Sequence, residues 1–136
     1  MSMLFAEDAH YQACCYVSTP EHVRSFVGRF IWIYTAKGSL RLNPEALVCE
    51  ISNLVCEIPL LSIQRVEVGH YSRWAKPIKL KYIALTYMSQ GEELTVLLTP
   101  THSWATSVWK TNALVEAWEE WIRKSVDSAT GHFRAG

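Results

Sequence analysis

The sequence predicts a mainly β fold of the α+β class: a bent antiparallel barrel of seven strands, capped by a C-terminal amphipathic helix. Three observations carry this. Between residues 29 and 98 the apolar residues recur at period two, in short runs separated by turn residues. Two pairs of these runs close into hairpins whose apolar side chains share one face. After Thr111 the period changes from two to 3.6, which is the change from strand to helix.

The first predicted strand, Arg29 to Thr35, alternates Phe30, Trp32 and Tyr34 with Ile31 and Ile33, so both of its faces are apolar. Lys37-Gly38 turns into Ser39–Leu42, and Asn43-Pro44-Glu45 turns again. Ala46 to Ile51 and Leu54 to Ile58 close over Ser52-Asn53, pairing Leu47 with Ile58, Cys49 with Cys56 and Ile51 with Leu54. This register puts both cysteines on a buried face. After Pro59 comes Ser62 to His70, with Ile63, Val66 and Val68 as its buried contacts. Ile78 to Met88 and Glu93 to Leu98 then close over Ser89-Gln90-Gly91-Glu92, pairing Ile83 with Leu98, Leu85 with Val96 and Tyr87 with Leu94. Lys79 and Lys81 share parity with that apolar set. The strand must therefore either project past the barrel at its start or carry a bulge near Lys81-Tyr82.

The helix opens at Thr111 or Asn112 as N-cap and presents Leu114, Val115, Trp118, Trp121, Ile122 and Val126 in one stripe. Glu119–Arg123 and Glu120–Lys124 stand at i, i+4 on its other side. Residues 1–27 read as an N-terminal extension with one short helix, in which Thr19 caps and Pro20 opens the first turn. Residues 28–126 form the domain, and 127–136 a flexible tail.

Composition bounds the function. The 136 residues are 49% hydrophobic and 19% charged, which suits one globular domain. Thirteen basic and thirteen acidic residues cancel, so no overall field attracts nucleic acid. No apolar run reaches the ~18 residues that span a bilayer, and the N-terminus has no basic n-region. The expected compartment is cytoplasmic. Four cysteines and five histidines show no metal-ligand spacing, so neither a metal nor a cofactor is expected. G-x-S-x-G, a Gly-rich phosphate loop and H-E-x-x-H are all missing, and the chain reads as no enzyme.

Seven short strands followed by one Trp-rich helix resemble the pleckstrin-homology-like superfamily, including GRAM-type domains. The likeness is carried by Gly38 to Val48, by Glu57 to Val66, by the last hairpin and by Ala113 to Lys124. The resemblance implies a bent barrel plugged at one end by the helix, and a binding module for lipids, peptides or proteins. Members that bind phosphoinositides place several Lys and Arg on the first two strands. Arg29, Lys37 and Arg41 do not match that arrangement, so the phosphate site is not carried over.

The candidate binding residues lie in two loops. Arg73, Trp74, Lys76, Lys79 and Lys81 form a basic stretch with no acid between Gly69 and Gly91. It reads either as an anion site with Trp74 as anchor or as a solvated loop. Trp104 lies in the long connection before the helix, where it either shapes a groove or folds back with Trp109 as a core cover. The expected partner is a protein or peptide, or an anionic membrane surface. The alternative is self-assembly into a homo-oligomer, which the doubly apolar run 29–35 would favour.

Overall fold

The computed structural model describes residues 11–26, 34, 36–51, 54–71, 79–104 and 107–135. The chain runs β1 (Tyr11–Ser18), α1 (Pro20–Arg24), β2 (Ala36–Leu42), β3 (Ala46–Ile51), β4 (Leu54–Pro59), a 3-10 turn (Leu60–Ser62), β5 (Ile63–His70), β6 (Lys81–Ser89), β7 (Glu92–Thr101) and α2 (Val108–Ala135). The strands form one antiparallel sheet in the order β4-β3-β2-β1-β7-β6-β5. The fold is thus mainly β with a C-terminal helix, as expected. The sheet is open rather than a closed barrel, since β4 and β5 are its two edges.

Width forces the sheet to bend. Seven strands at ~4.8 Å spacing would span roughly 29 Å if flat, whereas one helix is about 10 Å across. A single helix covers such a sheet only if it curls. One continuous core accordingly joins residues from all seven strands, among them Val17, Leu40, Leu47, Ile58, Val66, Ile83 and Leu98, to Val115, Trp118 and Ile122 of the helix.

The largest departure from expectation is at the N-terminus. β1 lies inside the segment assigned to an extension, yet it pairs with β2 on one side and β7 on the other, at the centre of the sheet. Its last four residues, Cys15 to Ser18, are all buried. Cys15 and Val17 enter the main core, while Tyr16 faces outward into a second cluster with Tyr71, Leu80 and Leu97. The expected strand at 29–35 lies outside the described residues except for Tyr34, which belongs to no strand.

Both hairpins take the expected register, Leu47↔Ile58, Cys49↔Cys56 and Ile51↔Leu54 in one, Ile83↔Leu98, Leu85↔Val96 and Tyr87↔Leu94 in the other. Gln90 and Gly91, with φ of 52° and 82°, form the two-residue turn between Ser89 and Glu92. Positive φ at both positions matches the strand twist, and glycine adopts it without strain. At the β2–β3 turn the Asn43 side chain accepts from the N–H groups of Glu45 (2.9 Å) and Ala46 (2.8 Å). In β5 both Ile63 and Val66 are buried, although three residues apart. A register shift between Ile63 and Arg65 makes that possible.

Thr19 caps α1, accepting from the His22 N–H at 3.1 Å, with Pro20 in the first turn. The second helix departs from its predicted start. It begins at Val108, a turn before the expected cap, and Ser107 accepts from the Lys110 and Thr111 N–H groups. Asn112 serves the sheet instead. Its amide donates to the Lys79 carbonyl (3.0 Å) and accepts from the Lys81 N–H (2.9 Å), clamping the start of β6. The helix also continues to Ala135, through the segment read as a tail. Its buried stripe is Thr111, Val115, Trp118 and Ile122. Tyr11 of β1 stacks on Trp121 at 4.1 Å and meets Trp118 edge-on at 6.3 Å, fastening the first strand to the last helix.

Trp118 is 1% exposed and Trp109 is 82% exposed. Trp118→Ala should therefore cost about 3–5 kcal/mol in urea denaturation, and Trp109→Ala should stay within about 0.5 kcal/mol of the parent. Equal costs would contradict the placement of the helix.

Candidate functional site

Three places on the fold are candidate sites: the basic stretch before β6, the outer face of β1, and the β4 edge of the sheet.

Of the basic stretch, Arg73, Trp74 and Lys76 lie outside the described residues. Lys79 is exposed and occupies left-handed backbone (φ 65°), so it turns the chain rather than extending a strand. The ladder begins at Lys81, opposite His70, without a bulge at Lys81-Tyr82. Of the two expected solutions, projection at the strand start is therefore the one found. Lys81 is not the free cation that the sequence predicts. Its ammonium bonds Glu116 of α2 at 2.5 Å, with the lysine side chain only 26% exposed. That hydrogen bond, with the positive charge behind it, holds the Glu116 carboxyl below its ordinary 4.5. Strand parity alone misleads here because it ignores the helix: Lys81 does point inward, at the sheet end where α2 supplies an acid.

The outer face of β1 is richer. Tyr16 is 6% exposed and lies beneath Tyr34 and Trp104, each with its ring centroid 5.0 Å away. The Lys37 ammonium sits over all three rings, 5.1 Å from Trp104, 5.3 Å from Tyr34 and 5.8 Å from Tyr16. Tyr16 and Lys37 are direct cross-strand partners in the β1–β2 ladder, which explains their meeting. Burial among aromatic neighbours raises the Tyr16 hydroxyl above its ordinary value. Beside them, Tyr71 and Tyr82 meet edge-on at 4.8 Å, and Thr99 bonds both the Tyr71 hydroxyl and the Lys81 carbonyl. Trp104, singled out from the sequence, thus belongs to an aromatic cluster, half-exposed at 43%. It does not share a cover with Trp109. Tyr16, Tyr34 and Lys37 were missed as a set, because cross-strand adjacency to β1 is invisible until β1 is known to be a strand.

The third place is an edge. Leu54, Val55, Cys56 and Glu57, the first four residues of β4, are all exposed. Leu54 and Val55 reach 75% and 59%, and Leu61 just beyond the strand reaches 58%. The expectation that Cys56 would be buried opposite Cys49 is therefore corrected. The register is right, and the Cys56 thiol meets the Tyr87 hydroxyl, but β4 is the edge strand, so only Cys49 on the inner strand is buried. The opposite edge differs. β5 exposes Gln64, Arg65 and Glu67, together with Val68, which was expected to be buried, and Arg123 of α2 donates to its Val66 carbonyl as well as pairing with Glu119. Charged side chains and a donor from the helix protect β5. β4 presents Leu54 and Val55 with a single charge, Glu57, and no donor from the helix reaches it among the described residues.

For chemistry the described residues offer little. Burial, with Cys56 a lesser cause, pushes the Cys49 thiol up to about 11, and burial raises Cys15 as well, so both stay protonated near neutrality. Among the described residues no group of His, Cys, Asp and Glu could hold a metal ion, and no helix is long and apolar enough to cross a membrane. A shallow cleft of about 340 Å³ between β5 and α2 has mixed-charge walls of Arg65, Glu67, Arg123 and Asp127. No protein-family model, curated protein or solved structure matches the chain.

Two outcomes follow from these placements. Cys56 should react quickly with a maleimide in the folded protein, whereas Cys15 and Cys49 should react only on unfolding. Mass spectrometry of timed samples separates the sites. The Lys81–Glu116 pair should stabilise the fold above the ordinary carboxylate range and lose that effect as pH falls through the lowered Glu116 value. Glu116→Gln should accordingly lower the melting temperature at pH 7, and the difference from the parent should vanish in strong acid.

Proposed function

We propose that this chain is a non-catalytic binding module of the pleckstrin-homology-like type, which engages a protein or peptide partner along the free edge of β4. The observation that carries this reading is the contrast between the two sheet edges. A strand edge presents unpaired N–H and C=O groups, and an extended segment can add to it as a further strand. Exposed Leu54, Val55 and Leu61 supply apolar contacts beside that backbone row. Seven antiparallel strands with a C-terminal helix over them support this reading, although the sheet is open where the resemblance implies a barrel. An anionic membrane surface is less well supported, since Lys81 is committed to Glu116.

The second reading is self-assembly, favoured by the same edge, because two copies of β4 can pair with each other. Cys56 lies on this edge and is a built-in handle for a photo-crosslinker. Under the first reading, the labelled chain captures an extended segment of a different protein in extract from its native cell, at a site mapped to β4. Val55→Lys abolishes that capture. Under the second, the chain captures itself, and its mass by light scattering rises with concentration unless Val55 is changed to Lys. A monomer that captures nothing through Cys56 would refute both.

A further inference from the structure

A lysine ammonium standing over three aromatic rings is an unusual resident for the outer face of a sheet. Each of the three distances, 5.1, 5.3 and 5.8 Å, is within the ≈6 Å over which a ring face attracts a cation. We infer that Tyr16, Tyr34 and Trp104 form a binding cage for a methylated lysine side chain of a peptide, with Lys37 as its displaceable internal occupant. This site is independent of the β4 edge.

The composition of the cage selects the ligand. Among the described residues Lys37 forms no ion pair. A simple ammonium carries three N–H donors and a tightly held hydration shell. A cage of ring faces, with no carboxylate paired to the ammonium among the described residues, replaces that water poorly. A methylated ammonium keeps its charge, has fewer N–H groups to satisfy and sheds water more readily, and its methyl groups add apolar contact with the rings. Such a cage therefore favours the methylated cation over the plain one.

The architecture permits exchange. Tyr16 is the floor, fixed by a strand paired on both sides and only 6% exposed. Trp104, at 43%, leaves the cage open towards solvent. Lys37 is exposed on its strand, so its flexible stem can swing into water. What replaces it should have its shape, an unbranched chain ending in a cation. That favours a peptide lysine over a choline headgroup, whose phosphate follows two carbons behind the nitrogen.

The test follows the Trp104 indole NMR signal of the full chain. It compares tetramethylammonium, a trimethyl-lysine peptide, its unmethylated twin and phosphatidylcholine vesicles. The expected result is a saturable shift with tetramethylammonium and with the methylated peptide, and a much weaker one with the twin. Lys37→Met should tighten binding of the methylated peptide roughly three- to thirtyfold by removing the competing cation. Lys37→Arg, which keeps the charge, should not. Tyr34→Ala should abolish binding while the melting curve shows the chain still folded. Val55→Lys should leave the titration unchanged, which separates this site from the β4 edge. No saturable shift in either the parent or Lys37→Met would overturn the inference, and the comparison in the parent chain needs no variant to fold. Equal binding of both peptides, or binding to the vesicles alone, would also overturn it.

Discussion

The whole arrangement depends on one strand being buried on both of its faces. β1 stands between β2 and β7 and joins the two halves of the sheet. Its inward residues Cys15 and Val17 reach the core that the helix closes, and its outward Tyr16 anchors the second cluster. A two-sided strand means that the sheet has a use for both surfaces. The inner one is satisfied by Val115, Trp118 and Ile122, at about 1.5–3 kcal/mol for each large apolar side chain removed from water. The outer one is satisfied by aromatic rings.

The two proposed binding sites lie where this scheme is left incomplete. At β5 the helix reaches over and supplies Arg123 to a backbone carbonyl. At β4 no group of the helix does so among the described residues, and Leu54 and Val55 stand in solvent at the edge of the sheet. The outer aromatic cluster is incomplete in another sense, since its innermost ring is fixed and its outermost is half in water. Both places contain surface that gains free energy when something covers it.

The sequence was legible where alternation was clean. Leu47, Cys49 and Ile51 against Ile58, Cys56 and Leu54 allowed only one register, and the same held for the hairpin at Gln90-Gly91. β1 was illegible for the reason that makes it central: a strand buried on both faces reads as a continuous run, without alternation. Lys37-Gly38 looked like a turn because glycine interrupts the pattern. In fact β2 runs through it, and a side chain at Gly38 would collide with the Glu50 carbonyl of β3. Asn112 looked like a cap, being of a capping type just ahead of the apolar stripe, yet its amide serves β6. Lys81 looked misplaced because its partner, Glu116, is on an element far along the chain. The candidate site suffered most, because Tyr16, Lys37 and Trp104 meet only through pairing that sequence distance conceals.

The place of β1 in the chain also governs the order of assembly. Cys14 pairs with Thr101, so nearly the entire domain must be synthesised before the central strand can be sealed on its second side. The two tight hairpins are local and can form within about 1–10 μs. The pairing of β1 with β7 closes a very long loop, and topologies dominated by such contacts fold in milliseconds to seconds. Until it forms, β7 is itself an open edge. A nascent chain of this design therefore emerges from the ribosome with its two halves unjoined, and remains open to wrong strand partners until its last third has been made.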